Sequence, residues 1–306
     1  MMDAWSEYWK MGFGSTVRDW PVCLAGESET TLYNLWRDYF SSLPAGSKVV
    51  DIGCGNGLLL DLLEQSSLSA WRFTGLDVAQ ITERTSSLDM NRSGRLIGGT
   101  TAESVDFAQD PFDVLVSMNG FEYCDYNALL QNIGAALSRG SIRLFLIMHA
   151  KNSVLYQNSL KELDFYYQIE RSRILHKLAY LDGVLTNSLS MRRKRDAFSA
   201  LLNSISALSA HPGTDSENLK NALERLANRI YEVNAERDIS SRRDIDALHN
   251  RIITDAKRLR LMCSAALDEA HLENLIRHAS DMLGLSINRT IIYDKSGSLL
   301  FWNLST

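Results

Sequence analysis

Short apolar runs alternate with helical patterns through the first half of the chain. The runs, rich in Val, Ile, Leu and Phe, lie at 49–52, 72–78, 95–99, 111–123 and 141–150. Between them, as over 126–138, apolar residues recur at helical spacing. This alternation predicts an open, mostly parallel α/β sheet. The pattern returns near the end, where it predicts a helix over 268–283 and two strands over 288–293 and 299–304.

The stretch between these two blocks, 151–268, carries only helical patterns. Apolar residues form two seams with coiled-coil-like spacing, Leu219, Leu223, Leu226, Ile230 and Val233 followed by Ile245, Leu248, Ile252, Leu259 and Ala266. Two such helices predict an αα-hairpin that packs on helices within 152–181 and 186–210. Apolar surface left over by the seams favours a homodimer, and the alternative is that the other helices cover it within one chain.

Three glycines at alternate positions follow the first apolar run. Val49–Ile52 leads into Gly53, Gly55 and Gly57, and the next helical pattern begins at Leu58. Glycines at such a turn allow positive φ angles and let a ligand approach the main chain. A dinucleotide-binding fingerprint would need its last glycine one position later, so the spacing here is G-x-G-x-G instead.

Two carboxylates accompany this turn. Asp51 lies in the first apolar run, and Asp77 ends the second run, 20 residues after Gly57. A carboxylate at that strand end can accept hydrogen bonds from both hydroxyls of a ribose. Together with the glycine spacing, these residues resemble motif I and the following acidic strand end of the class I S-adenosylmethionine-dependent methyltransferases.

The resemblance implies an α/β fold with a seven-stranded, mostly parallel sheet whose last strand is antiparallel. The methyltransferase domain would comprise 45–150 and 269–306, with 151–268 as an all-helical insertion between strand five and the last helix. Residues 1–44 are expected to form a helical cap segment. Its aromatic residues around Trp5 and Trp9 either cover the cofactor, as N-terminal segments do in many members of this family, or pack on the sheet.

The same resemblance implies a binding site for S-adenosylmethionine. Its expected members are Asp51, Gly53, Cys54, Gly55, Gly57, Asp77, Val78, Thr101, Ala102, Glu103, Ser117 and Met118. Thr101 stands where the family usually has an aspartate that contacts adenine. We therefore expect this contact to shift to Glu103 or to the backbone N–H of Ala102.

Four polar or aromatic residues are candidates for catalysis, because they follow predicted strands at the carboxyl edge of the sheet. They are Asn119, Glu122 and Tyr123 after strand four and His149 at the end of strand five. A lone histidine is often only a structural residue, so both roles stay open for His149. The sequence lacks the Asn/Asp-Pro-Pro-Tyr motif of amino methyltransferases that act on DNA bases. No metal site is expected.

Composition limits the cellular setting. The 306 residues contain no apolar run of the roughly 20 residues that a membrane span needs. The N-terminus does not resemble a signal peptide, and the four cysteines lie far apart, which favours a reduced cytoplasmic protein. Net charge is −5 overall, but 151–268 carries 19 basic against 15 acidic residues. An acidic core of this kind is not typical of nucleic-acid enzymes.

These features predict transfer of a methyl group to a small molecule through an oxygen, nitrogen or carboxylate nucleophile. The acceptor is expected between the carboxyl edge of the sheet and the helical insertion. One alternative is an RNA or protein methyltransferase that docks its substrate on the basic helices. Another is a catalytically silent S-adenosylmethionine-binding protein that dimerises or binds a partner. The cluster Arg192–Arg195 is either an anion contact or a solvated helix end.

Overall fold

The computed structural model describes residues 2–10, 22–25, 28–66, 68–137, 142–186, 190–212, 214–236 and 242–306. The chain divides into two compact units, one comprising Met1–Tyr156 and Leu261–Thr306 and the other Gln157–Arg260. We call the first the sheet unit and the second the helical unit. The helical unit is shorter than the predicted insertion 151–268, because Val154 and Leu155 pack on the core of the sheet and Leu267 pairs with Ala150.

Ten strands among the described residues form one sheet. They are β1 (Val22–Ala25), β2 (Ser28–Thr31), β3 (Ser47–Ile52), β4 (Trp71–Leu76), β5 (Arg84–Ser87), β6 (Arg92–Ile97), β7 (Val114–Met118), β8 (Arg143–His149), β9 (Asn288–Asp294) and β10 (Leu299–Ser305). Their order is β2-β1-β9-β10-β8-β7-β3-β4-β6-β5.

The central part of this sheet is the predicted seven-stranded arrangement. Strands β8, β7, β3, β4 and β6 are parallel neighbours, and β10 lies antiparallel between β8 and β9. The prediction that the last strand is antiparallel is confirmed. Strand β5 extends one edge, and the β1–β2 hairpin extends the other.

The prediction that residues 1–44 are helical is wrong at 22–31, where β1 and β2 lie. Strand β1 pairs with β9 and so satisfies backbone groups that an edge strand would leave unpaired. Phe13 and Trp20, two of the aromatic residues in this segment, lie outside the described residues.

Ten helices occur in the described part of the chain. They are α1 (Met2–Lys10), α2 (Leu32–Ser41), α3 (Leu58–Glu64), α4 (Tyr126–Leu137), α5 (Val154–Arg171), α6 (Ile174–Thr186), α7 (Met191–Ser206), α8 (Asp215–Glu236), α9 (Arg242–Ala265) and α10 (Glu269–Leu283). None of them is long and apolar enough to cross a membrane.

Helices cover both faces of the sheet. On one face, α2 and α3 pack on the core, and on the other, α4 and α10 do so. Leu32, Trp36 and Phe40 of α2 recur every four residues and are all buried, as the sequence predicts for a helix that precedes the first strand. The Trp36 ring meets Phe145 of β8 edge to face, with centroids 4.8 Å apart.

The apolar seams lie inside the helical unit. Leu223, Leu226, Ile230, Ile245 and Ile252 are each at most 7% exposed. Helices α6, α7 and α8 pack against one another, so α8 is covered within one chain. These five residues therefore leave little apolar surface, whereas Leu219 and Leu248 of the same seams are partly exposed, so the homodimer stays a prediction. The side chain of Val233 lies outside the described residues.

The helical stretch predicted over 152–181 is broken into α5 and α6 at Ser172 and Arg173. Arg173 has a φ angle of +52°, in the left-handed region that a right-handed helix cannot contain. Within the described part of 157–260 there is no strand, which agrees with the all-helical prediction.

The turns after β3 and β7 touch through two glycines. Gly53 has φ +72°, and a Cβ added to it would lie 2.6 Å from the Cα of Gly120. A Cβ on Gly120 would overlap the carbonyl oxygen of Ile52. The Ser117 hydroxyl joins the same two turns, since Oγ donates to the Ile52 carbonyl at 2.6 Å and accepts from the Phe121 N–H at 2.9 Å.

We expect Gly120→Ala to lower the free energy of unfolding by about 1–3 kcal/mol, because the added methyl group forces two backbones apart. Gly134→Ala is the matched control, since its Cβ would lie 3.8 Å from the nearest atom, in the interior of α4. That change should raise stability by about 0.5–1 kcal/mol. Urea denaturation checks both, and equal effects of the two substitutions would contradict the close contact.

Candidate active site

The glycine-rich turn is fastened to the end of β4 by Asp77. The N–H of Gly55 donates to Oδ2 of Asp77, and the N–H of Ala79 donates to Oδ1, both at 2.8 Å. Asp77 is 7% exposed. Each carboxylate oxygen can accept a second hydrogen bond, so Asp77 can hold the turn and still accept from a ligand.

A cavity of about 310 Å³ opens beside this turn, at the carboxyl ends of β3, β4 and β7. Its lining residues are Trp5, Trp9, Ile52, Gly53, Leu76, Asp77, Val78, Thr100, Thr101, Ala102, Glu103, Asn119, Gly120, Tyr123 and Cys124. Most of the wall is apolar, and a few polar side chains converge on it. This combination is usual for a small-molecule site.

Eight of the predicted site residues line the cavity. They are Gly53, Asp77, Val78, Thr101, Ala102, Glu103, Asn119 and Tyr123. Thr101, the departure from the family pattern, precedes a short 3₁₀ turn over Ala102–Ser104. Within that turn, Oε1 of Glu103 accepts from the N–H of Asp125 at 2.7 Å. The Glu103 carboxylate is thus partly engaged with the protein, although its residue lines the cavity.

The other eight predicted residues lie behind the lining. They are Asp51, Cys54, Gly55, Gly57, Ser117, Met118, Glu122 and His149. The Ser117 hydroxyl is fully buried between the two turns. Gly57 packs against Leu96, and a Cβ added to Gly57 would lie 2.5 Å from Cδ1 of Leu96. These eight residues do not form part of the cavity wall.

Helix α1 forms one wall of the cavity through Trp5 and Trp9. It is held by two hydrogen bonds, from the Gln80 N–H to Oγ of Ser6 at 2.9 Å and from Nδ2 of Asn56 to the Trp9 carbonyl at 2.9 Å. A Cβ on Gly55 would lie 2.5 Å from the Trp9 ring. Two roles were predicted for these aromatic residues, covering the cofactor or packing on the sheet. Their position in the cavity wall agrees with the first.

Sequence reasoning missed several lining residues, including Leu76, Thr100 and Cys124. Gly120 also lines the cavity, as its place at the carboxyl end of the predicted fourth strand indicates. Cys124 carries no such signal. Burial first, and then the charge of Glu103, raises the pKa of its thiol, so Cys124 is a neutral part of the wall.

Glu122 and His149 form a hydrogen-bonded pair at the carboxyl ends of β7 and β8. Oε1 of Glu122 lies 2.7 Å from Nδ1 of His149 and accepts the backbone N–H of the same residue at 2.9 Å. The Glu122 side chain is fully buried and that of His149 is 13% exposed. A carboxylate at Nδ1 favours the proton on that nitrogen and leaves Nε2 as the basic atom.

Tyr123 stands between this pair and the cavity. Its ring centroid lies 6.4 Å from that of His149 and 5.7 Å from that of Trp5, both in edge-to-face geometry. His149 therefore lies one aromatic ring behind the cavity wall, which is further from the rim than its place at the end of a strand predicts.

Asp51 is a second buried carboxylate beneath the turn. It is 2% exposed, and its Oδ1 has no hydrogen-bond partner among the described residues. Burial, and after it the charge of Asp77, raises the pKa of Asp51 well above its usual range. Burial also raises the pKa of Asp77, although the N–H groups of Ala79 and Gly55 oppose the rise.

A model of the methyltransferase domain family matches residues 29–182, half of the chain. The chain belongs to this family. This part of the chain is a methyltransferase domain, and S-adenosylmethionine is the cofactor that the resemblance of the glycine turn and Asp77 implies.

Individual relatives are more distant. The chain is 33% identical over 106 residues to a ubiquinone biosynthesis O-methyltransferase from Bartonella bacilliformis, a match that covers 34% of this chain and 42% of the relative. Among solved structures, it resembles a 1,6-didemethyltoxoflavin-N1-methyltransferase from Burkholderia thailandensis (15% identity, 39% and 52% covered, TM-score 0.29). It also resembles a cyclopropane synthase from Mycobacterium tuberculosis (12% identity, 90% and 82% covered, TM-score 0.32).

The residues around the cavity fit the cofactor. Gly53 leaves backbone accessible in the wall, and Asp77 would accept from the ribose hydroxyls. Val78 and Ala102 supply apolar contacts of the kind that adenine needs. Oδ1 of Asn119 is buried without a partner among the described residues, so an acceptor is available for the amino group of the methionine portion.

We expect Asp77→Asn to weaken binding of S-adenosylhomocysteine by roughly 1.5–3 kcal/mol, because a charged hydrogen-bond acceptor is lost. Asp113→Asn is the control. Asp113 also accepts a strand N–H, that of Lys48 at 2.8 Å, but it precedes β7 rather than following a strand. Calorimetry should find wild-type affinity in the control, and unchanged affinity in Asp77→Asn would remove Asp77 from the site.

We expect Asp51→Asn to raise the free energy of unfolding of the cofactor-free chain, relative to the wild type, more at pH 7 than at pH 4. An acid whose pKa is raised by folding contributes most below its unfolded value of 3.8, and this contribution is lost as the pH rises from there toward the raised pKa. Asparagine does not titrate, so the variant does not lose this contribution. Relative to the wild type, its free energy of unfolding at pH 7 gains about 1.4 kcal/mol for each unit by which folding raises the pKa of Asp51. Melting curves of both chains that move in parallel between the two pH values would contradict this account.

Proposed function

We propose that the enzyme transfers the methyl group to a hydroxyl oxygen of a small molecule. In this proposal, His149 takes the proton that the hydroxyl releases, and Glu122 holds the imidazole in place. The observation that carries the proposal is the 2.7 Å contact between the buried Glu122 carboxylate and Nδ1 of His149. A base held in this way is needed for a hydroxyl acceptor but not for a carboxylate or a thiolate.

The cofactor, when bound, supplies a methyl group that is already activated on a sulfonium. The chain then has to bind and orient the two reactants and to exclude water from them. Asp77 and Asn119 would orient the cofactor, while Trp5, Trp9 and Tyr123 would keep water from the reacting atoms. The acceptor would approach at the carboxyl edge of the sheet from the exposed side of His149, beside the Tyr123 ring rather than behind it, so that its oxygen comes within reach of Nε2.

The choice of oxygen also draws support from one relative, which is named as an O-methyltransferase of ubiquinone biosynthesis. The chain spans less than half of that relative's length, so the acceptor itself is left to experiment. A small molecule is favoured over RNA because the charged residues that line the cavity, Asp77 and Glu103, are acidic and would repel a polyanion.

The test is a panel of phenols, catechols, carboxylic acids and amines assayed for uptake of a labelled methyl group. We expect a hydroxyl compound to be the best acceptor. With it, His149→Gln and Glu122→Gln should each lower kcat by about 10²-fold or more while the KM for S-adenosylmethionine stays unchanged.

His271→Gln is the matched control, because His271 also contacts a carboxylate, Asp268, at the start of α10 and is exposed. It should keep full activity. Wild-type turnover in His149→Gln would overturn the role of the base. A chain that binds the cofactor and methylates no compound of the panel would instead support the silent binding protein.

A further inference from the structure

A groove of about 760 Å³ lies within the helical unit, between α6 with the end of α5 on one side and α9 on the other. Its floor is apolar, with Ile169, Ile245 and Ile252 each at most 6% exposed. Ile253 borders it and is 39% exposed. Along α9 the lining runs from Arg242 to Arg260, eighteen residue steps, or about 27 Å of helix. The groove is therefore long, apolar at the base and open to solvent.

Cations outnumber acids at its rim. The charged lining residues are Arg173, Arg242, Lys257 and Arg260 against Glu170 and Asp246. Arg242 pairs with Asp246 at 3.2 Å, and the Arg260 guanidinium lies 5.0 Å from the centre of the Tyr167 ring. Neither Arg173 nor Lys257 forms an ion pair with any described residue. Two opposed elements thus each present a cation that the protein leaves uncompensated.

The position of Arg173 has a conformational cost. A φ angle of +52° is uncommon for any residue other than glycine. Glycine or asparagine would fit this turn with less strain. Strained positions of this kind often occur at ligand clamps. The chain has an arginine at this position instead, and Arg173 lines the groove.

From these observations we propose that the helical unit binds an anionic amphiphile with a single apolar chain. The chain lies along Ile169, Ile245 and Ile252, and the phosphate or carboxylate head contacts Arg173 and Lys257. The proposal does not depend on the proposed function, since every residue it uses lies in 157–260. A groove of this volume suits a small molecule. Its sixteen lining residues are fewer than the 20–30 that each side of a stable protein interface contributes.

The test uses the full chain, saturated with S-adenosylhomocysteine so that the cavity in the sheet unit is filled. Dodecyl phosphate, kept below its micelle concentration, is titrated by calorimetry. We expect binding of one molecule per chain that weakens as salt is added. The double variant Arg173→Gln/Lys257→Gln should bind on the order of tenfold more weakly, as expected for two exposed ion pairs.

Two further variants separate the site from general effects. Arg192→Gln/Arg193→Gln removes two exposed charges from α7, outside the groove, and should bind as the wild type does. Ile253→Glu places an acid at the groove by replacing a partly exposed residue, so no buried side chain is removed. It should abolish binding while the helical circular dichroism and the affinity for S-adenosylhomocysteine stay unchanged.

Four results would overturn the proposal. Inorganic phosphate that binds as tightly as dodecyl phosphate would mean that the apolar floor is not used. Dodecyl maltoside that binds as tightly would mean that the cations are not used. An acidic amphipathic peptide that displaces dodecyl phosphate at lower concentration would assign the groove to a protein partner. Absence of dodecyl phosphate binding to the wild-type chain would also reject it.

Discussion

The contact between Gly53 and Gly120 is the constraint on which the rest of the site depends. Two parallel strands normally end beside each other with side chains between their turns, but here the backbones meet directly. This contact places Asn119 and Tyr123 on the same cavity as Asp77. Ser117 fixes the arrangement with hydrogen bonds to both turns. The position of the cavity thus depends on a contact between two backbones, while its wall is formed mostly by side chains.

Charge is the second organising feature of the site. Asp51 and Asp77 are both buried at the glycine turn, and the charge of Asp77 adds to the cost of ionising Asp51. Such a pair is unfavourable in an empty protein and becomes favourable when a cation binds nearby. The cofactor of this family is a sulfonium cation. A cation bound beside the turn would therefore lower the cost of ionising both acids.

Local sequence patterns were enough to predict most of the sheet and part of the site. Several predicted strands have a glycine or a polar residue at or next to their carboxyl end, so the carboxyl edge and the residues on it, such as Gly53, Asp77 and Asn119, could be placed in advance. The β1–β2 hairpin could not, because β1 forms by pairing with β9, almost the whole chain away. For the same reason, nothing local shows that Trp9 packs on Gly55 or that Glu122 reaches His149. Those contacts depend on how distant strands are set beside one another.

The sheet unit is built from two stretches of chain that are separated in the sequence, and this has a consequence for biosynthesis. Strand β10 pairs with β8, His149 facing Phe301, and the whole helical unit is encoded between them. At about 5–20 residues per second, a ribosome needs roughly 8–30 s to make the intervening chain. During this time the edge of β8 has no partner, and helices with mainly local contacts can fold first. The edge of β8 is therefore open to edge-to-edge association until β10 has been synthesised.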